Sequence, residues 1–223
     1  MGVMLAGLVV LMIGDSHLAT PGYLITTLHD DLTQQGAAVY SFGACGAAAG
    51  DWVSKTKIES PPPCGIASRE KEGKVKLVVG AKAATTPYAE LVKTYKPDLV
   101  VVVMGDTMAG YTQPAMPKAW IWQHVSALTK AIKASGTKCV WVGPAWGTEG
   151  GQFGKTYARV SEVSGYLSEI VSPCTYVNSL KLSKPGEWAT LDGQHFKSPG
   201  YKSWGAAITT AITTPPIVTG LHK

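Results

Sequence analysis

The sequence predicts an α/β protein of three layers, with helices packed on both faces of a largely parallel sheet. Three observations carry that expectation. The short branched apolar runs 7–13 and 98–104 are each stopped by glycine and read as buried strands, and 138–144 makes a third strand. Segments with helical apolar spacing alternate with them, which argues for right-handed βαβ crossovers. Of the 223 residues, 45% are apolar and only 16% charged, enough for a substantial core in one domain spanning residues 1–223. No internal repeat or linker interrupts it.

Residues 7–13, the first strand, run directly into Gly14-Asp15-Ser16-His17. They have no basic segment before them and no room for a cleavage site after them, so they are not read as a signal peptide. Met1-Gly2 then reads as a start that replaces a native leader. Leu24, Ile25, Leu28 and Leu32 mark a helix over about 18–35, ended by Gly36. Residues 38–42 form a second strand that empties into the small-residue stretch 43–50, where Gly46 can present an unobstructed N–H. Residues 54–89 read as a surface excursion, marked by Pro61-Pro62-Pro63 and a charged run over 69–76, with a short edge strand at 75–79. Leu91 and Val92 lie on a short helix that stops before Pro97, and the strand 98–104 opens into Gly105-Asp106-Thr107-Met108. A helix over about 120–135, the strand 138–144, a glycine-rich stretch at 147–154, a helix over about 157–171 and the strand 175–178 follow. The last helix starts at Pro199-Gly200-Tyr201 and runs to about 212.

A net charge of +5 without any basic block argues against nucleic acid as a partner, and no segment reaches the length of a membrane span. Cys45, Cys64, Cys139 and Cys174 lack metal-type spacing. Cys139 and Cys174 open successive strands, while Cys45 and Cys64 bracket the excursion. Two disulfides fit, and they would imply an oxidising compartment; buried free thiols are the other reading.

Ser16 stands at the carboxyl end of the first strand, where open α/β sheets place their ligands. It is the candidate nucleophile, though the same residue type also caps helices. A serine hydroxyl needs a base to take its proton, and a histidine needs a carboxylate to fix its tautomer. Asp192 and His195, three residues apart in Asp192-Gly193-Gln194-His195, can share one face and supply both. An acyl-transfer site also needs donors for a developing oxyanion; the N–H groups of Ser16 and Gly46 suit that task, and Thr107 could add a hydroxyl. Asp15 is expected to hydrogen-bond its own loop, Asn178 to form a turn and Glu149 to be a loop charge. His17 either lines the pocket or faces solvent.

These stretches resemble the blocks of the SGNH hydrolases, also called the GDSL esterase superfamily. Gly14-Asp15-Ser16 matches the first block, Gly46 falls at the second-block glycine, and Asp192-Gly193-Gln194-His195-Phe196 with Pro199-Gly200-Tyr201 looks like the last. The resemblance implies a flavodoxin-like α/β/α sandwich of about five parallel strands, a shallow open site, no cofactor or metal, and acyl transfer through an acyl-serine. One block departs: Gly105-Asp106-Thr107-Met108 stands where the family has Gly-x-Asn-Asp, which puts Thr107 in the place of an oxyanion-hole asparagine.

Trp52, Trp120, Trp122, Trp146 and Trp188 fall near expected loops or helix starts, and as a set they favour a carbohydrate ester over a long acyl chain. The reading is therefore a secreted or periplasmic serine esterase that removes small acyl groups, acetyl foremost, from a glycan. The alternatives are a glycan O-acetyltransferase, a lipase or thioesterase, and a catalytically silent glycan-binding module.

Overall fold

A computed structural model describes residues 4–59, 63–214 and 217. Met1-Gly2, the first two prolines of the 61–63 run and His222 lie outside the described residues. The strands are β1 (Val9–Gly14), β2 (Ala38–Ala44), β3 (Ile66–Glu70), β4 (Lys76–Val78), β5 (Leu99–Val103), β6 (Lys138–Val142) and β7 (Thr175–Val177). The helices are α1 (Thr27–Gln34), α2 (Tyr88–Tyr95), α3 (Lys118–Ser135), α4 (Tyr157–Ile170) and α5 (Ser198–Thr213).

One sheet holds all seven strands in the order β4-β3-β2-β1-β5-β6-β7. The five strands β2-β1-β5-β6-β7 are parallel, as expected, and β3 and β4 continue the β2 edge antiparallel. Side chains alternate through the sheet because successive residues of a strand point to opposite faces. Leu11 and Ile13 of β1 and Val100 and Val102 of β5 join one core with α2, α3 and α4; Val10 and Met12, with Leu99, Val101 and Val103, join the other with α1 and α5. Burial on both faces explains why these strands read as continuous apolar runs.

Two elements depart from expectation. The helix expected from residue 18 begins only at Thr27. Pro21 disfavours helical backbone at Thr20, and Gly22 takes φ +86°, so the chain coils before Leu24 and Ile25 reach the core. The charged run hides a strand: Ile66–Glu70 pairs with the outer edge of β2, where a half-covered strand tolerates Arg69 and Glu70. The edge strand expected at 75–79 is β4.

Both cysteine pairs are bonded. Cys45 and Cys64 have their Cα atoms 5.8 Å apart, and Cys139 and Cys174 4.6 Å apart. Among the described residues no helix is long and apolar enough to cross a membrane.

The chain leaves β1 toward β2 on one side and returns to β5 on the other. Such a reversal opens a crevice at the carboxyl ends of the two strands.

Candidate active site

Ser16 opens a 3-10 turn, Ser16–Leu18, directly after β1. The turn fits there because two neighbours lack side chains: a Cβ on Gly43 of β2 would collide with the Leu18 carbonyl, and one on Gly14 with the carbonyl oxygen of Val103. Asp15, fully buried, accepts the His17 N–H at 3.1 Å and so holds the turn, as expected of it. Burial raises its pKa, against the opposing influence of His17.

At the far end of the chain, residues 190–196 fold back on themselves, with the Leu191 N–H on the His195 carbonyl at 2.7 Å and Gly193 in the left-handed region at φ +94°. This brings Asp192 under His195. Oδ1 of Asp192 accepts the N–H groups of Gln194 (3.0 Å) and His195 (2.8 Å), while Oδ2 lies 2.7 Å from His195 Nδ1. On the other side of the ring, His195 Nε2 lies 2.7 Å from Ser16 Oγ. The structure thus joins the three sequence candidates in one hydroxyl–imidazole–carboxylate chain. With Asp192 ionised, Nδ1 carries the ring proton and Nε2 faces the serine as acceptor.

Electrostatics favour those protonation states. Burial alone would raise the Asp192 pKa, but the two backbone N–H groups and the imidazole outweigh it and hold the carboxyl below its usual range. Burial lowers the His195 pKa, nearby His17 pushes the same way, and Asp192 offsets only part of this.

The serine opens into a cleft of about 770 Å³ lined by Cys45 and Gly46 on one side, Gly110, Tyr111 and Thr112 on another, and Gln152, Phe153 and Gln194 near His195. Phe153 meets the His195 ring edge-on at 5.7 Å, and Tyr23 stacks against it at 5.8 Å. Gly46 has φ +70°, and among the described residues neither its N–H nor that of Ser16 is given to an acceptor within the chain. Thr107 also lines the cleft, but its one hydroxyl proton goes to the Ala47 carbonyl at 2.8 Å. Asn178 caps its turn through the Leu180 N–H, and Glu149 accepts the Tyr157 N–H at the start of α4.

The tryptophans are placed differently from the expectation. Trp52 is core, Trp146 donates to the Leu180 and Ser183 carbonyls, Trp188 packs edge-on against Phe196, and Trp120 and Trp122 are exposed on α3. None of the five lines the cleft, because most of these indoles found apolar cover or a carbonyl elsewhere. Tyr111 and Phe153 are the aromatic rings that do.

Sequence reasoning missed a second polar cluster beneath Ser16. His17, 2% exposed, has Nε2 2.9 Å from Asp106 Oδ2 and Nδ1 2.9 Å from the Tyr201 hydroxyl. Asp106 also accepts from Tyr111 and from the fully buried Lys155, whose Nζ lies 2.7 Å away. Burial would raise the Asp106 pKa, but Lys155 and His17 hold it far below the usual carboxylate range. Asp106 was visible only as a loop residue, and a lone lysine after a glycine-rich stretch carries no signal of burial. Among the described residues, no three His, Cys, Asp or Glu side chains converge as they would around a metal ion.

The three-layer sandwich, with its serine after β1 and its Asp-x-x-His loop before the last helix, has the fold expected from the resemblance to the SGNH hydrolases. Solved structures with the same fold include a lipase/acylhydrolase from Enterococcus faecalis (TM-score 0.60, 18% identity, 92% of this chain and 95% of the other). Another is Axe2, an acetylxylan esterase from Geobacillus stearothermophilus (TM-score 0.58, 15% identity, 95% of each). The chain is also 39% identical over 211 residues to Protein BcsX of Komagataeibacter xylinus, covering 95% of this chain and 79% of that one, and belongs to its family. No protein-family model matches the chain.

Proposed function

We propose that this chain is a serine esterase that removes small acyl groups, acetyl foremost, from a carbohydrate. The observation that carries the reading is the unbroken pair of 2.7 Å contacts, Ser16 Oγ to His195 Nε2 and His195 Nδ1 to Asp192 Oδ2, opening into a cleft with two uncommitted N–H groups. Ser16 Oγ attacks the ester carbonyl while His195 Nε2 takes its proton. Asp192 keeps the ring oriented and stabilises the imidazolium. The N–H groups of Ser16 and Gly46 receive the oxyanion, with Thr107 a third donor only if its proton turns away from Ala47. His195 then protonates the leaving alcohol, and water resolves the acyl-serine by the same route in reverse.

The finer substrate assignment is supported by the cleft. Its volume of about 770 Å³ far exceeds an acetyl group and leaves room for the ring that carries it. Tyr111 and Phe153 offer flat faces, and Gln152 and Gln194 offer amides suited to hydroxyls. A fold relative is an acetylxylan esterase. The two disulfides support an extracytoplasmic location.

The test is turnover of p-nitrophenyl esters of increasing chain length by the parent and Ser16→Ala, followed by acetate release from acetylated polysaccharides with and without an added glycan acceptor. Acetyl preference, loss of turnover in the variant and acetate release support the reading. Acetyl passing to the glycan instead of water identifies a transferase, and rates rising beyond four carbons a lipase or thioesterase. Saccharide binding without turnover or fluorophosphonate labelling of Ser16 leaves only a binding module.

A further inference from the structure

We infer that Asp106 and Lys155 are positioning residues for this reaction, forming a buried brace that sets the distance between the Ser16 turn and the His195 loop. The inference rests on the esterase reading and adds to it a device in which neither residue reacts.

The bonds form a closed ring. It starts at Ser16, passes to adjacent His17 and crosses from its Nε2 to Asp106 Oδ2 at 2.9 Å. Asp106 Oδ1 accepts from Lys155 Nζ at 2.7 Å, and the same ammonium holds the Ala145 carbonyl at 2.8 Å. The Lys155 backbone is fixed by a reciprocal pair with Gly150, at 3.1 and 2.8 Å. That glycine-rich loop lies directly on the catalytic one: the Gln152 N–H donates to the Asp192 carbonyl (3.1 Å) and the Thr148 N–H to that of Gly193 (2.9 Å). The ring closes through His195 onto Ser16. Tyr201, on the helix that follows the His195 loop, makes a second crossing to His17 Nδ1.

The contact between the loops leaves no slack. A Cβ on Gly151 would strike the Asp192 carbonyl, and one on Gly147 the Gly193 carbonyl. Stability alone does not account for the pair, since two buried charges gain little over apolar side chains of the same shape. Position does account for it. The two reacting side chains come from opposite ends of the chain, 179 residues apart, and misplacing such groups by about 1 Å costs on the order of a hundredfold in rate.

The test pairs Asp106→Asn with Lys155→Met, which removes both charges without stranding either. With p-nitrophenyl acetate the double variant is expected to lose about a hundredfold in kcat with KM within about threefold, and fluorophosphonate labelling of Ser16 should slow in parallel while Tm stays near the parent value. A folded double variant with parental kcat overturns the inference. If it fails to fold, His17→Asn and His17→Gln decide. The longer amide reaches Asp106 as Nε2 does and should recover most of the rate lost with the shorter one; equal, parental rates overturn the brace. A parent that neither turns over the ester nor takes the label overturns the esterase reading and this one with it, whereas an active parent isolates the brace.

Discussion

Replacing Asp192 by Asn tests the site most sharply, because the surrounding backbone dictates which way the amide must point. Oδ1 accepts two N–H groups, from Gln194 and His195. An amide nitrogen in that position would face both donors and leave them unpaired, at a cost of about 1–3 kcal/mol each. The amide oxygen therefore takes the Oδ1 position and the NH2 takes that of Oδ2, 2.7 Å from His195 Nδ1. A donor there forces Nδ1 to accept, which moves the ring proton to Nε2, facing Ser16. In that tautomer His195 cannot take the serine proton. The expected loss in kcat/KM is about 10⁴-fold, or roughly 5.5 kcal/mol of transition-state stabilisation. The Oδ1 bonds survive, so Tm should barely move, whereas Asp192→Ala removes both acceptor oxygens and all three of their hydrogen bonds and should lower it. Steady-state hydrolysis of p-nitrophenyl acetate near neutral pH, with a melting curve for each variant, reads both. A loss below about tenfold in Asp192→Asn would refute the tautomer argument.

Other expectations follow from individual contacts. The acid limb of kcat/KM, which reports the free-enzyme His195, should lie below the usual histidine value of 6.5 because burial favours the neutral ring; a limb at or above 6.5 in a pH–rate profile contradicts this. His29 is fully buried between the Ser41 hydroxyl and the Lys71 carbonyl, and burial lowers its pKa to about 4. The unfolded chain therefore binds this proton first. Stability should be flat in this respect above pH 6.5 and fall by up to about 3 kcal/mol between 6.5 and 4, as urea unfolding across pH would show and His29→Gln would flatten. Thr107→Val should change kcat less than about threefold, since the hydroxyl proton already serves Ala47; a hundredfold loss would instead mark it as an oxyanion donor. Gly43→Ala should cost about 1–3 kcal/mol in denaturant unfolding and lower kcat as well, because the new methyl displaces the turn that carries Ser16.

The parallel sheet was legible because each of its long strands is buried on both faces, so Val9–Gly14 and Leu99–Val103 are apolar runs that no amphipathic helix would show. β3 was hidden by Arg69 and Glu70, which an antiparallel strand near the sheet edge can expose. That Ser16, Asp192 and His195 would meet could be read because residue type and local spacing suggest such a chain. Lys155 could not: its burial depends on a partner 49 positions away and on glycines that let two loops touch. The tryptophans misled for a related reason, since a large ring near a loop is drawn equally to the core and to a site.

The cleft has two banks, and they are fastened by different chemistry. Cys45-Gly46 is tied covalently to Cys64, while the bank of Gly110, Tyr111 and Thr112 hangs on Arg159 of α4, whose guanidinium gathers the carbonyls of Ala109, Gly110, Gln113 and Pro114. A thiol reductant addresses the first bank and leaves the second untouched; exchanging Arg159 for lysine, which has no planar fork, does the reverse. The two sides of the cleft thus rest on supports that can be loosened one at a time.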